Sequence, residues 1–206
     1  MKRHADSPDE NSANEQNTFD EFIRRVRRGD VAATEELVRR YEPMIRREVR
    51  LQLQDPRLTR LFDSIDVCQS VLASFFLRAA AGQYDLRSPP QLVNLLVEMA
   101  RRKLALAARR QYRQRRDIRR TKSFAGEIAA HVGARGPDPV EAVASEVLLE
   151  RFRQCLSAEE RQLAEWRSVG ISWAEIAERA GGTADSRRVQ LVRAVDRVVR
   201  KLGLEE

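Results

Sequence analysis

The chain has 206 residues, room for one ordinary domain or two small ones, and 42% of them are apolar, enough for helical cores. Aromatic residues are few and Val, Ile and Thr form no alternating run of strand length, whereas Arg, Glu, Leu and Ala abound, so the class read from composition is all-α. No stretch approaches the roughly 18 apolar residues of a membrane span, and the first 17 residues hold no apolar run of a secretion signal; with a net charge of +7, the expectation is a cytoplasmic protein without membrane insertion.

Residues 1–17 are polar and are read as a disordered tail, with order beginning at Phe19. Phe19, Phe22, Ile23 and Val26 recur at helical spacing with one buried face. Gly29 can close that helix in a left-handed conformation and Asp30 can cap the next. The second helix carries Leu37, Tyr41, Ile45 and Val49 on one stripe; Pro43 inside it removes a backbone donor and predicts a kink, or a break at Glu42. After a turn at Asp55-Pro56, a third helix is expected over about 64–81, with Val67, Val71, Phe75 and Ala79 as its seam and Gly82 as its stop.

A loop over residues 83–88 ends at Pro89-Pro90. A long helix over about 90–116 then buries Leu92, Leu95, Leu96, Met99 and Leu106. Its apolar face fades after Leu106, where Arg becomes the commonest residue. Residues 101–122 hold eleven Lys or Arg against the single acid Asp117, which makes this segment +10 and the remainder of the chain −3. One concentrated basic block on a nearly neutral remainder points to a polyanionic partner at one place.

Residues 121–138, with Gly126, Gly133, Gly136 and Pro137, show little periodicity and read as a linker. A second helical unit opens at Pro139, where Val140, Val143, Val147 and Phe152 form a stripe. Ser157-x-x-Glu160 and Ser172-x-x-Glu175 are capping boxes, each opening a helix. Gly181-Gly182 makes a turn, Thr183 can cap, and the last helix carries Leu191, Val195, Val198 and Leu202. The organisation is therefore two small helical domains joined by a flexible linker: a tail over 1–17, a first domain over 18–118, a linker over 119–138 and a second domain over 139–206.

Cys68 and Cys155 lie far apart, each on the apolar side of a helix, and read as buried reduced thiols; Trp166 and Trp173 read as core. His4 falls in the tail and His131 in the linker, and there is no C-x-x-C, H-E-x-x-H or Gly-rich phosphate loop. No catalytic residue, metal ligand or cofactor is assigned, and an enzyme is not expected.

Residues 172–202 carry the strongest local pattern. A short capped helix, a Gly-containing turn and a longer helix with a basic free side describe a helix-turn-helix, whose second helix can enter a major groove about 12 Å wide. Opposite its apolar stripe lie Ser186, Val189, Gln190, Arg193 and Arg197; Gln suits adenine, Arg suits guanine or phosphate, and Val suits a thymine methyl. Thr183, Arg187 and Arg188 belong to the same candidate DNA surface. Arg187 falls near the buried seam, where it either snorkels to phosphate or marks a helix entry shifted by one residue.

The segment Asp66-Val67-Cys68-Gln69-Ser70-Val71-Leu72-Ala73-Ser74-Phe75-Phe76 resembles the second conserved region of sigma factors. Leu95-Leu96-Val97-Glu98-Met99-Ala100-Arg101-Arg102-Lys103-Leu104 is similar to the promoter-reading helix of the same region. Ser172-Trp173-Ala174-Glu175-Ile176-Ala177-Glu178-Arg179 and Arg193-Ala194-Val195-Asp196-Arg197 look like the C-terminal region. The resemblance is to the extracytoplasmic-function (ECF) group, and it covers about 19–116 and 140–204. It implies core RNA polymerase and promoter DNA as partners, with an anti-sigma factor as a further partner. It also implies that Asp66, Gln69, Ser70 and Ala73 dock on polymerase and that the 83–88 loop receives a flipped base of the −10 element. Tyr84 and Arg87 in that loop, and Arg101, Arg102, Lys103, Arg109 and Arg110 on the long helix, would then hold the −10 DNA, while the last helix reads the −35 element. Tyr84 has two readings, a stacking partner for DNA or an anchor against the helices. The competing reading of the whole chain is a conventional helix-turn-helix regulator with a helical dimerisation or sensing domain, which would bind duplex DNA tightly by itself.

Overall fold

A computed structural model describes residues 8–52, 63–121 and 142–204, and every regular element in them is an α-helix. The helices are α1 (Pro8–Arg27), α2 (Val31–Gln52), α3 (Ser64–Ala80), α4 (Pro89–Thr121), α5 (Ala142–Gln154), α6 (Ala158–Ser168), α7 (Trp173–Ala180) and α8 (Ala184–Lys201). The all-helical class expected from composition is thus observed. The turn expected at Asp55-Pro56 and the linker residues 122–138 lie outside the described residues.

The first four helices enclose one core. Phe19, Ile23 and Val26 of α1 meet Leu37, Tyr41, Ile45 and Val49 of α2, Val67, Val71 and Phe75 of α3, and Leu92, Leu96 and Met99 of α4. Each set recurs at three- and four-residue intervals, which keeps it on one helix face. The α1–α2 corner follows its local residues. Gly29 takes φ 77°, and the Asp30 carboxylate accepts from the Ala33 amide at 2.8 Å and from Arg25 at 2.8 Å. Those two bonds, backbone first, hold the Asp30 carboxyl below its ordinary pKa.

Four expectations are corrected. Helix α1 already runs over Pro8–Arg27, so residues 8–17 of the expected tail are helical, while residues 1–7 lie outside the described residues. Helix α2 runs unbroken through Pro43, with Leu37, Tyr41, Ile45 and Val49 all buried on one side, so the break at Glu42, one of the two alternatives, does not occur. Helix α4 extends to Thr121, beyond the expected end at 116, while Leu95 and Leu106 are only half-buried and Leu104 is buried instead. Helix α5 is described from Ala142, the expected opening at Pro139 and its Val140 lying outside the described residues; within it Val147 is 47% exposed, while Leu149 and Phe152 are buried.

The second core gathers Leu149, Phe152, Leu156, Leu163, Ile176, Leu191, Val195, Val198 and Val199 from α5 to α8. It also takes in Leu77 and Ala81, which are contributed by α3 and its end and are fully buried. Helix α3 therefore lies between the two cores. Its sequence allows this, because between residues 71 and 81 only Ser74 and Arg78 are polar, and a helix that is apolar all round buries more than one face.

Candidate nucleic-acid interface

Helix α8 is set up by three successive caps. Ser157 and Glu160 exchange side-chain and backbone bonds at the start of α6, at 2.9 and 3.2 Å. Ser172 and Glu175 do the same for α7 at 2.9 and 3.3 Å; the Ser172 hydroxyl also donates to the Glu175 carboxylate at 2.7 Å, and this bond first, then that of the Ser172 amide, draws the carboxyl below its ordinary pKa. Thr183 caps α8, its hydroxyl accepting from the Ser186 amide at 3.1 Å and the Ser186 hydroxyl accepting from the Thr183 amide at 3.1 Å. Between α7 and α8 the chain turns on Gly181 and Gly182, at φ 75° and 84°, conformations that cost a side-chain-bearing residue about 1 kcal/mol or more.

Ile176 of α7 and Leu191, Ala194, Val195, Val198 and Val199 of α8 are buried, so the opposite side of α8 is free. There Ser186, Val189, Arg193 and Arg197 are exposed and Gln190 is half-buried, and all five line one open groove with Glu160 and Asp185. The face expected from sequence is thus brought together, but its arginines are not equivalent. Arg197 forks onto Glu160 at 3.1 and 2.7 Å, a bidentate pair that holds the carboxyl of Glu160 below its ordinary pKa and raises that of Arg197.

Arg187 is fully occupied. It donates to the carbonyls of Gly181 at 2.7 Å and Ala180 at 2.5 Å, to Glu159 at 2.5 Å and to Gln190 at 2.8 Å. It therefore acts as a staple on the last carbonyls of α7, a favourable place for a cation. That answers the question its position near the seam raised: the side chain turns back onto its own domain. Arg188 and Arg193 are exposed and have no hydrogen bond or ion pair among the described residues. Sequence reading missed Glu159 and Glu160 as their neighbours' counter-ions; a capping box marks Glu160 as an N-cap partner but gives no hint of a residue 37 positions away.

In the first unit, Asp63 caps α3 through the Ile65 amide at 2.9 Å. Asp66 is exposed on the first turn, Gln69 and Ser70 are half-buried, and Ala73 is packed against the second core. The loop after α3 is pinned from inside. The Tyr84 ring stacks on Phe75 with centroids 5.8 Å apart and planes 7° apart, and its hydroxyl lies 3.8 Å from the Met99 sulfur. The ring is thus held against α3 and α4. The half-buried Arg27 donates to the Tyr84 carbonyl at 2.6 Å, and burial lowers the pKa of this guanidinium. The outer edge remains open: Asp85, Leu86 and Arg87 face Gln16, Asp20, Ile23, Arg24 and Arg27 of α1 across a groove, with Arg87 exposed and 3.3 Å from Asp85.

On α4, Arg101 bonds Glu48 of α2 at 2.9 Å, and Arg102 bonds Glu98 one turn back at 2.9 Å. Lys103 is half-buried and Arg109 exposed. The side chain of Arg110, and those of the rest of the basic block, lie outside the described residues. Cys68 is buried, its thiol 3.9 Å from the Glu42 carbonyl and pushed up to about 12 by burial; Cys155 is half-buried, a departure from its expected burial. Trp166 and Trp173 are both half-buried against the second core, and the Arg167 guanidinium sits 4.9 Å over Trp173. Among the described residues no group of His, Cys, Asp or Glu is arranged to hold a metal ion, and no helix is long and apolar enough to cross a membrane.

A family model described as ECF sigma factor matches residues 16–200. The chain belongs to the ECF sigma factor family. Membership assigns it a role in transcription initiation, and the match spans both helical cores as well as the stretch between them. Neither a curated protein nor a solved structure gives a significant match.

Proposed function

We propose that this sigma factor binds core RNA polymerase through the outer side of α3 and directs it to promoters by reading duplex DNA with α8 and opened DNA with the α3–α4 loop and α4. The observation that carries the reading is the free face of α8. Ser186, Val189, Gln190 and Arg193 stand clear of the core on a helix braced by α7, the form of a helix-turn-helix. Gln190 and Arg193 would read base edges, and Thr183, Ser186, Arg188 and Arg197 would meet the backbone around them. Arg187 would act by fixing the angle of α8.

The domains in this reading are residues 18–118 and 139–206, joined by residues 119–138. Asp66 and Gln69, with Ser70 and Ala73 on the same side, form the polymerase contact. The groove beside Arg87 is the candidate receptor for an unstacked base, with Tyr84 shaping its floor. Unstacking a base costs a few kcal/mol, which contacts from Arg109, Arg110 and the rest of the basic stretch would offset. Arg101, Arg102 and Lys103 open that stretch, the first two through exchange of their intramolecular carboxylate partners. The protein works in this scheme without catalysis of its own, inside the cell, with an anti-sigma factor as a further partner.

Co-purification with bacterial core RNA polymerase tests the proposal. Wild type is expected to form a 1:1 complex, and a folded Asp66→Arg/Gln69→Ala double variant is expected to lose it. A wild-type chain that ignores polymerase but binds a symmetric duplex tightly as a dimer would establish the conventional regulator instead.

A further inference from the structure

Arg187 and Gln190 stand three residues apart on α8, a spacing that sets their side chains next to each other on the helix surface. They differ in what they face. Gln190 is half-buried and lines the open groove with Ser186, Val189 and Arg193, whereas Arg187, its side chain 17% exposed, is not part of that lining. It is anchored behind the groove. Its Nε donates to the Gly181 carbonyl at 2.7 Å, Nη2 to the Ala180 carbonyl at 2.5 Å and Nη1 to Glu159 of α6 at 2.5 Å. Acceptors from α6, α7 and the turn thus hold the guanidinium on the protein side of the helix.

The same Nη1 also donates to the side-chain oxygen of Gln190 at 2.8 Å. A guanidinium has donors and no acceptor, so it can face only the oxygen of an amide, never its NH2 group. An unrestrained glutamine amide turns over and offers either end to a base. In this chain a cation fixes which end is which: Oε1 lies against Arg187, and Nε2, the donor, has no partner among the described residues and is left for the groove.

Base edges in the major groove respond differently to such a donor. Purine N7, guanine O6 and thymine O4 accept from it, while cytosine offers only its own N4 donor. We propose that Arg187 is a positioning residue for base recognition: it touches no DNA itself but, by holding Oε1 of Gln190, makes that amide a donor toward DNA and sets one position of the bound duplex against cytosine. The inference rests on the assignment of α8 as the helix that reads duplex DNA. To accept cytosine the amide must turn over, which breaks a charge-assisted bond and points its NH2 group at a guanidinium. The discrimination that follows is about tenfold. Glu159 contributes from a third helix, since its carboxylate helps to keep the guanidinium in place.

The test is selection of duplexes from a randomised library by the full chain at low salt, followed by sequencing, with thermal melts to show that each variant is folded. Gln190→Ala is expected to relax base choice at one position, and so to identify it. Arg187→Met should reduce the preference over cytosine at that same position about tenfold and leave the other positions unchanged. Gln190→Glu, with one carboxylate oxygen held by Arg187 and the other turned outward, should shift the preference toward cytosine. A folded Arg187→Met chain that keeps the wild-type choice overturns the proposal. So does a uniform loss over all positions, which marks Arg187 as a brace of the helix alone. If Arg187→Met does not fold, Gln190→Glu decides: a shift to cytosine supports the assigned orientation and retention of the wild-type base overturns it. A Gln190→Ala chain with an unchanged motif also overturns the proposal, with α8 still the reader. A wild type that enriches no motif removes the reading of α8 itself, and the inference with it.

Discussion

Replacing Glu160 by Gln isolates one charge at the DNA face. Glu160 has two tasks, accepting from the Ser157 amide at 2.9 Å and holding Arg197 through two bonds of 3.1 and 2.7 Å. A glutamine retains the first, since a capping box accepts Glu or Gln. It removes the charge from the second. Glu160 has a side chain only 12% exposed, but that of Arg197 is 56% exposed, so solvent screening keeps the pair near about 0.5–1 kcal/mol. DNA must displace the same pair to use Arg197, so Glu160→Gln should lower stability by about that amount and raise duplex affinity about two- to fivefold at low salt. If the freed Arg197 meets a phosphate, the slope of log affinity against log salt should steepen by about 0.9. Fluorescence anisotropy of a labelled duplex across a salt series reads both quantities. An unchanged slope with equal or weaker binding would refute the view that Glu160 restrains a DNA-contacting arginine.

The same carboxylate has a pH signature. Its folded pKa is depressed from the ordinary 4.5, chiefly by the Arg197 bond, so its contribution is complete above about pH 5 and is lost as pH falls through the folded value. Thermal melts of wild type and Glu160→Gln should therefore converge as pH falls below the ordinary 4.5 and through the folded value; a gap that does not narrow on acidification contradicts the linkage. Cys68 is buried with its thiol pushed up to about 12, so in native protein at pH 8 a thiol reagent should modify Cys155 well before Cys68, with both reacting alike in denaturant. Equal native rates would show that the α2–α3 contact is open. Phe75→Ala removes a fully buried ring that also carries Tyr84, and should cost about 3–5 kcal/mol in urea unfolding; a loss under about 1 kcal/mol would mean that the first core does not depend on that stack.

Much of the local structure was legible because it is written in short-range chemistry. The stripes of α1 and α2, the Gly29–Asp30 corner and the two Ser–Glu capping boxes each depend on residues three or four positions apart, and each is found where expected. The reading failed where a global contact outweighs a local rule. Val147 fits an apolar stripe on paper but faces solvent because Leu149 and Phe152 take the core.

By itself the sequence determined an all-helical chain, the extent of most helices, the exposed side of α8 and the motifs that tie it to the ECF sigma factors. Helical period and capping are properties of a few consecutive residues, and they survive without knowledge of the rest. Tertiary structure decided which arginines are occupied, since Glu159, Glu160 and Glu48 lie 28, 37 and 53 residues from the cations they bind. It also placed the Tyr84 ring on Phe75 and buried α3 on two sides. The apolar run 71–81 showed that a second face had to be covered, but its occupant comes from α5 to α8, and contacts between segments so distant in sequence leave no periodic trace in either one.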